Sequence, residues 1–361
     1  MPDHANKADT LRYRRLERTE DDLARFKQAF EREGAPRSEQ NLRWLYFDNP
    51  ASRINIEVAV ATDESRIAAI VSLLPLLMRV GGTVVHACQA IDTLTDSDYR
   101  GRGLFAKVGK VALERSQAEG YACAWGFPNA AAAHGWFERL GWTKMDPVPF
   151  LFKPLLLNYG IRRVPSLASL DSRLPRIPLA FPREPHLPQN QELRRLVAFD
   201  DEFSQLWERF AASIPIAVHR DARYLTWRLL RKPSERYSSL GLYEDGALRG
   251  FVSWVAKNKH GGQTGYVMEL MHEPERPEVG KALLAQALVE MARGGVEVVL
   301  AWNFAHSPNH EAYRSAGFWE LPERLRPVEL HFGARSLAAP QRANICNRRN
   351  WYLSYLDSDT V

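Results

Sequence analysis

The order of apolar and polar positions predicts that strands and helices alternate along the first 150 residues. Helices are indicated where apolar residues recur every three or four positions, and strands where they alternate or run continuously. The predicted elements are a helix over 10–33, a strand over 54–60, two or three further strands up to Thr95, a helix over 103–119, a strand over 121–127 and a helix over 130–140 that ends at Gly141. This mixture predicts an α/β (α+β) fold with a mixed central sheet and flanking helices.

A proline-rich segment interrupts the pattern after the first 150 residues. Seven of the 22 prolines fall between Pro154 and Pro188. Proline fixes φ and lacks an amide donor, so we expect an extended connector there. The sequence therefore predicts a first domain over 1–155, a linker over 156–195 and a second domain over 196–361.

Two short patterns of the first half recur in the second half in the same order. The leucine, tryptophan, proline and arginine of 42–53 recur without a gap in 225–236, at an offset of 183 positions. The aromatic-x-x-x-Gly-aromatic pattern of 137–142 recurs in 313–318, at an offset of 176 positions. Ordered repeats with similar offsets predict two related domains in tandem.

Composition and charge exclude several classes of protein. The chain has 361 residues, 45% of them apolar, and a formal net charge of +5, with no dense basic stripe of the kind that binds nucleic acid. Three scattered cysteines indicate neither a disulfide framework nor a metal site. The polar N-terminus is unlike a signal peptide, and the longest apolar run, 67–78, is too short to span a membrane. We expect a cytoplasmic protein; its oligomeric state stays open.

The segment Tyr99–Phe105 carries the sharpest chemical signal. It follows a predicted strand and opens an amphipathic helix, and it contains Arg-Gly-Arg-Gly at 100–103. Glycines at such a turn let a ligand approach the main chain, and the helix N-terminus directs amide groups at it. The pattern is neither a dinucleotide fingerprint nor a P-loop, because GxGxxG and GK[ST] are absent. It favours a pyrophosphate site.

The chain resembles the GNAT acyltransferase superfamily at this loop and after it. The family's acyl-CoA loop, Gln/Arg-x-x-Gly-x-Gly/Ala, is matched by the Arg-Gly-x-Gly core, although Ser97 or Asp98 stands at its leading position. The family's next strand and helix correspond to Gly126–Asn129 and Trp136–Trp142. The resemblance covers about 10–150 well and 200–330 loosely. It implies tandem GNAT-like domains, as in tandem-domain bacterial N-acetyltransferases, with acetyl-CoA or another acyl-CoA as co-substrate and no metal.

The resemblance also implies roles for individual residues. Main-chain groups of one strand end would hold the pantetheine arm, and the following loop would cradle the pyrophosphate. Asn129 would contact the amide arm of the co-substrate, or would cap the helix that it precedes. The predicted co-substrate-binding residues are Leu94, Thr95, Arg100, Gly101, Arg102, Gly103, Leu104, Phe105 and Asn129.

Acyl transfer to an amine requires a base, because an ammonium group must first lose a proton. Asp92 is the preferred catalytic residue, since it lies just before the loop in an otherwise apolar strand. His134, together with His86, is a further candidate. Where the family often has a tyrosine that protonates the leaving thiolate, this chain has Phe137. Tyr99 and Tyr121 are near in sequence, and the matching second-half position is Tyr313.

The corresponding loop of the second half lacks these features. The strand-like run Tyr266–Met271 is followed by 272–281, which contains one glycine, several acidic groups and two prolines. Prolines remove amide donors where a pyrophosphate would need them. We therefore expect a degenerate second domain that does not bind acyl-CoA.

Together these features predict an acyl-CoA-dependent N-acyltransferase, an N-acetyltransferase by preference, that acts on a small-molecule primary amine. Similarity to bacterial tandem-domain acyltransferases makes an amino sugar the preferred acceptor. The alternatives are a Fem-like aminoacyl transferase, which the glycine-rich loop disfavours, and a non-catalytic acyl-CoA-binding scaffold or sensor, which Phe137 favours. Transfer to a hydroxyl group stays open.

Overall fold

The computed structural model describes residues 11–61, 66–163, 175–179, 181–326, 330–338 and 342–358. They fall into two compact units. The first unit contains the chain up to Pro147 with 231–234 and 330–351, and the second contains 148–230, 235–329 and the chain from Tyr352. Within the described ranges, no helix has the length and apolar character needed to cross a membrane.

The strands are numbered in chain order. They are β1 Leu11–Arg15, β2 Ile56–Ala61, β3 Ile67–Val80, β4 Thr83–Thr95, β5 Cys123–Gly126, β6 Thr143–Met145, β7 Phe150–Pro154, β8 Gln191–Arg195, β9 Ile216–Val218, β10 Ser238–Glu244, β11 Ala247–Lys259, β12 Gly262–His272, β13 Val298–Trp302, β14 Trp319–Glu320 and β15 Phe332–Ser336.

The helices are numbered in the same way. They are α1 Glu20–Arg32, α2 Glu39–Leu42, α3 Leu104–Ala118, α4 Ala130–His134, α5 Leu157–Arg163, α6 Asp201–Phe210, α7 Ala222–Leu225, α8 Pro277–Arg293, α9 His310–Ser315 and α10 Arg342–Ile345. π-Helical turns at Arg43–Phe47, Gly135–Arg139 and Thr226–Leu230 continue α2, α4 and α7.

The sheet of the first unit has the order β1-β2-β3-β4-β5-β15-β6. Neighbouring strands run antiparallel except β4 and β5, which are parallel. The apolar face of α3, from Leu104 through Val108 to Leu113, packs into the same buried cluster as Val71 of β3. This packing fixes the start of α3 next to the end of β4.

The sheet of the second unit repeats this order as β8-β10-β11-β12-β13-β7-β14, again with one parallel pair, β12 and β13. The predicted fold class, mixed α/β with two mixed sheets and flanking helices, is confirmed. Each sheet takes one strand from the other half of the chain. β15 lies between β5 and β6, and β7 lies between β13 and β14.

The predicted helix over 10–33 is wrong in its first part. Residues 11–15 form β1, which pairs with β2, and the helix begins only at Glu20. Thr19 is its N-cap and accepts a hydrogen bond from the Asp22 amide at 3.2 Å. A capping threonine before three acidic residues is a standard helix start, and it outweighs the apolar spacing on its N-terminal side.

The predicted linker contains regular structure. Leu157–Arg163 forms α5, and Gln191–Arg195 forms β8, which pairs with β10. The residues 164–174 lie outside the described part of the chain. The prediction of an extended connector therefore fails at both of its ends, because short helical and strand segments fit between the prolines.

The repeat found in the sequence has the same local structure in both units. Trp44 and Trp227 each lie in a π-helical turn that follows a one-turn helix. Both side chains are buried, with 5% and 3% exposure. They are core residues, as their aromatic character predicts.

The exchanged strand β15 should be essential for the stability of the first unit. Phe332 is completely buried and packs against Trp351. We expect Phe332→Ala to lower the free energy of unfolding by about 3–5 kcal/mol, measured by urea denaturation. Leu325→Ala, at a position that is 55% exposed, is the control and should change it by less than about 0.5 kcal/mol. Equal effects of the two changes would contradict this role of β15.

Candidate active site

The two parallel strands of the first unit separate and leave one edge of β4 open. β4 pairs with β5 only over Cys88–Ala90, and β5 ends at Gly126. β4 continues to Thr95, held on its other edge by β3. Within the described ranges no strand covers the β5-facing edge of 91–95, so its main-chain groups are available to an extended ligand with amide groups. Leu94 and Thr95, two of the predicted binding residues, belong to this edge.

The loop that follows β4 presents main-chain amides at the start of a long helix. Gly101 and Gly103 have φ angles of +76° and +67°, in the region that favours glycine. A Cβ atom on either would meet no heavy atom within 4 Å, so the space beside the loop is open. Gly103 is the N-cap of α3 and has no side chain to satisfy the first helical amides. This arrangement suits a phosphate group.

Asp96 fixes the loop to the sheet. Its side chain is 1% exposed and accepts hydrogen bonds from Arg66, just before β3, at 2.5 and 2.8 Å. It also accepts a hydrogen bond from the Asp98 amide at 3.1 Å. The Arg66 guanidinium lies over the ring of Tyr99, 5.5 Å from its centroid. The loop that carries the open amides is therefore attached to the sheet by the ion pair of the buried Asp96 with Arg66.

The two arginines of the loop already have partners. Arg100 forms an ion pair with Glu33 at 2.6 Å, and its Nε donates to the carbonyl oxygen of Thr95 at 3.3 Å. Arg102 lies over the ring of Tyr99, 5.2 Å from its centroid. A bound anion would thus compete with Glu33 for Arg100. The sequence did not indicate this competition, because Glu33 and Arg100 are 67 positions apart.

The remaining predicted binding residues have mainly structural side chains. Leu104 is buried in the core below α3, and Phe105 packs edge-on against Trp136 at 5.3 Å. Only their main-chain amides are left for a ligand. Asn129 is exposed, and its Oδ1 accepts a hydrogen bond from the Ala132 amide at 3.0 Å. It caps α4, one of its two predicted roles, while its side-chain NH₂ group keeps its donors.

Asp92 lies in a β-bulge of β4 with a φ angle of +42°, which is uncommon for a residue with a side chain. One carboxylate oxygen accepts a hydrogen bond from Nε of Arg37 at 2.9 Å. The other accepts one from the Tyr46 hydroxyl, also at 2.9 Å. The Tyr46 hydroxyl further hydrogen-bonds to Ser72 Oγ at 2.8 Å. The carboxylate is 12% exposed, so it is ordered and still accessible.

Sequence analysis missed Arg37, Tyr46 and Ser72, which come from three different elements. A signal was nevertheless present in the repeat. At the offset of 183 positions, Arg37 matches Arg220, whereas Tyr46 matches Leu229. The Tyr46 hydroxyl is thus present in only one copy of the repeat, which makes it a candidate for a function that only this copy has.

The other residues considered for acid–base chemistry lie elsewhere. His134 is exposed at the C-terminal end of α4. His86 lies six residues before Asp92, about 20 Å away along an extended strand; burial lowers the pKa of its imidazole. Tyr121 is its neighbour, with ring centroids 6.0 Å apart. Phe137 packs edge-on against His331.

The space between the separating ends of β4 and β5 forms a slot in the first unit. In the second unit, side chains fill the corresponding slot between β12 and β13. Asn309 donates from Nδ2 to the carbonyl oxygen of Leu270 at 2.6 Å, so this part of the β12 edge is occupied. His272 lies against Gly280 in the first turn of α8, where a Cβ atom would be 2.4 Å from its ring. The start of α8 is therefore covered by the His272 ring.

A buried ionic cluster closes this slot. Glu269 on β12 accepts hydrogen bonds from Arg220 Nε at 2.6 Å, Ser354 Oγ at 3.0 Å and the Tyr352 hydroxyl. Arg220 also pairs with Asp357 at 2.6 Å. Burial opposes the charge of Arg220, but Asp357 and Glu269 outweigh it and raise the Arg220 pKa. The C-terminal segment 352–358 is thereby bound inside the second unit.

Comparison with known proteins identifies the first part of the chain. Residues 11–145 match the family model of the acetyltransferase (GNAT) domain. This segment contains the divergent strands, the glycine loop and Asp92. A search of curated proteins gives no match to the chain.

Solved structures resemble nearly the whole chain in fold. A probable N-acyltransferase from Enterococcus faecalis V583 has a TM-score of 0.61 at 12% identity, over 93% of this chain and 74% of that one. A GCN5-related N-acetyltransferase from Anabaena variabilis has a TM-score of 0.59 at 11% identity, over 91% and 73%. N-myristoyltransferase from Saccharomyces cerevisiae, solved with myristoyl-CoA, has a TM-score of 0.57 at 12% identity, over 91% and 79%. At these identities the similarity shows the fold.

The ionic anchor of the glycine loop gives a testable prediction. Asp96→Asn removes the charge that balances Arg66 at a buried position, and we expect it to lower the free energy of unfolding by about 1–3 kcal/mol. Asp98→Asn is the matched control, because Asp98 also contacts Arg66 but is 65% exposed; its effect should stay below about 1 kcal/mol. Chemical denaturation measures both. Equal effects would show that the buried pair does not anchor the loop.

Proposed function

Residues 11–145 belong to the GNAT acyltransferase superfamily, and on this basis we propose that the protein is an acyl-CoA-dependent N-acyltransferase whose active site lies in the first unit. The observation that carries this proposal is the open edge of β4 at Leu94 and Thr95, which leads directly to the uncovered amides at Gly101 and Gly103. A linear ligand with amide groups at one end and a pyrophosphate at the other fits this combination.

The direction of the slot indicates where the thioester end of the ligand would lie. A pyrophosphate at the glycine loop leaves the pantetheine arm to follow β4 back from Thr95. The slot closes where Ala90 meets Gly126. Asp92 lies between these limits, about 10 Å along the strand from Thr95. The thioester would therefore come to rest near Asp92.

The closed end of the slot favours a short acyl group. A Cβ atom on Gly126 would be 3.0 Å from the carbonyl oxygen of Ala90, so the strands are in close contact there. Beyond this point Phe127 packs against Phe332, with the ring centroids 5.6 Å apart. We therefore propose acetyl-CoA as the donor, in preference to a long-chain donor such as the myristoyl-CoA bound by the yeast neighbour.

The proposed acceptor is a primary amine, and Asp92 is the proposed base. The carboxylate takes a proton from the acceptor ammonium, and the free amine attacks the thioester carbonyl carbon. The C–S bond then breaks and CoA leaves as the thiolate, which takes up the second proton that the nitrogen loses as the amide forms. Each oxygen of Asp92 accepts one hydrogen bond from Arg37 or Tyr46 and keeps a lone pair for this transfer. An amino sugar is the preferred acceptor within the amine class.

The non-catalytic alternative makes a different prediction from the same site. Phe137 has no proton to give to a thiolate, and a scaffold or sensor would bind acyl-CoA without turnover. A panel of amino sugars, polyamines and amino acids, with release of the CoA thiol as the readout, separates the two. Thiol release that depends on an added amine supports the transferase, whereas binding without release supports the scaffold.

Calorimetric titration of acetyl-CoA tests the co-substrate site. We expect micromolar binding at one site per chain, and loss of binding in Gly103→Glu, which puts bulk and negative charge where the pyrophosphate would lie. Gly82→Glu is the matched control. Gly82 has a φ angle of +84° in the β3–β4 turn and open space beside it, so the substitution brings the same strain and charge far from the slot.

Binding that disappears in Gly103→Glu and persists in Gly82→Glu, with both variants folded, supports the assignment. Two sites per chain would mean that the second unit also binds acyl-CoA. No binding by the unaltered protein would overturn the acyl-CoA assignment and favour the aminoacyl-transferase alternative.

Substitution of the two catalytic candidates tests their roles. We expect Asp92→Asn to lower kcat by about 10²–10⁴-fold, because the amide cannot accept the ammonium proton, and to leave the Kd for acetyl-CoA unchanged. His134→Gln should keep kcat within about twofold, since His134 is exposed on α4. Steady-state kinetics with an amine from the panel measures both. A large effect of His134→Gln alone would transfer the base role to that residue.

A further inference from the structure

The groups that hold Asp92 all come from outside its own strand. Arg37 precedes α2, Tyr46 lies in the π-helical turn after α2, and Ser72 lies on β3. They are the groups that face the carboxylate: Arg37 and Tyr46 each hold one oxygen, and Ser72 holds the Tyr46 hydroxyl. Three separate elements thus converge on one side chain.

These contacts stabilise a strained conformation. A residue with a Cβ atom is disfavoured in the left-handed region, and such strain persists where the surroundings impose it. Asp92 has a φ angle of +42°. The Tyr46 hydroxyl joins the bulged residue to Ser72 of the neighbouring strand, so it resists relaxation of the bulge.

The environment of Tyr46 keeps its hydroxyl group protonated, as a hydrogen-bond donor must be. Its side chain is 2% exposed. Burial, together with the charge of Asp92, raises the Tyr46 pKa well above its usual value. The hydroxyl therefore stays protonated through the neutral range and donates to the carboxylate throughout.

The second unit has a similar set of contacts built from other residues. Glu269 lies next to a β-bulge of β12 and is held by an arginine, a tyrosine and a serine: Arg220, Tyr352 and Ser354. Only the arginine corresponds in the repeat. There the carboxylate is 0% exposed, whereas Asp92 is 12% exposed. An arginine and a tyrosine hold an acid in both units, and in the first unit the acid remains accessible.

We infer that Tyr46 is a positioning residue of the active site, whose hydroxyl, anchored on Ser72, fixes the Asp92 carboxylate in the bulge for proton transfer from the acceptor. This inference rests on the proposed function, because it assigns Tyr46 a role toward the proposed base. It differs from a purely structural role, in which Tyr46 would affect stability and leave the chemical step unchanged.

Tyr46→Phe removes the hydroxyl and little else. Steady-state kinetics should give a kcat about 10- to 100-fold lower, because the carboxylate is no longer held in position for proton transfer. The Kd for acetyl-CoA should not change.

Tyr121→Phe is the matched control. Tyr121 is a similarly buried tyrosine of the same unit, beside His86 at the other end of β4. It should leave kcat within about twofold of the unaltered protein. Ser72→Ala should lower kcat as Tyr46→Phe does, by a smaller factor.

The outcomes separate this inference from the proposed function. An unchanged kcat in Tyr46→Phe would overturn the positioning role while acyl transfer stands. A kcat lowered only in proportion to the loss of folded protein would also overturn it, because Tyr46 would then be a structural residue. If the unaltered protein binds no acetyl-CoA, the proposed function fails, and the positioning role fails with it.

Discussion

The pairing of β4 with β5 stops after Ala90 and Gly126, and the open edge of the first unit depends on this point of divergence. The cause lies on the β5 side. β5 is followed by Phe127 and Pro128, and proline has no amide to continue a ladder. Its other edge is held by β15, where Gly126 pairs with Gly333. Within the described residues, β4 continues paired with β3 alone, so its other edge stays free next to the start of α3.

Two parallel strands separate in each unit, but the space beside them is open in the first unit and filled in the second. In the first unit the edge of β4 is open, the loop ends in glycines and Asp92 is accessible. In the second, Asn309 occupies the β12 edge, and Glu269 is sealed by Arg220 and the segment 352–358. Buried ion pairs add little stability against an apolar alternative, but breaking one is costly. The second slot is thus closed by a cluster that cannot easily lose a member.

Much of the fold and part of the site follow from local sequence. The loop at 100–103 is recognisable because φ angles such as that of Gly103 require glycine, and the duplicated tryptophans mark equivalent turns. The start of α1 was misplaced, since the apolar spacing before Thr19 suits a strand as well as a helix. The partners of Asp92 could not be found, because Arg37 and Tyr46 are 55 and 46 positions away in the chain. The exchange of β7 and β15 could not be predicted either, because the sequence of a short strand does not specify the sheet to which it belongs.

The exchange of strands affects how the chain folds during synthesis and explains why its second half is retained in evolution. The central strand that β5 and β6 share is β15, and the side chain of Arg335 bonds to Leu140, 195 positions earlier. The chain must therefore be synthesised as far as β15 before the first sheet can close, which makes this closure a slow, long-range step of folding. The second half of the chain cannot be deleted while it supplies that strand to the first unit. Its retention then needs no ligand, because the half that carries the open slot is not a complete domain without it.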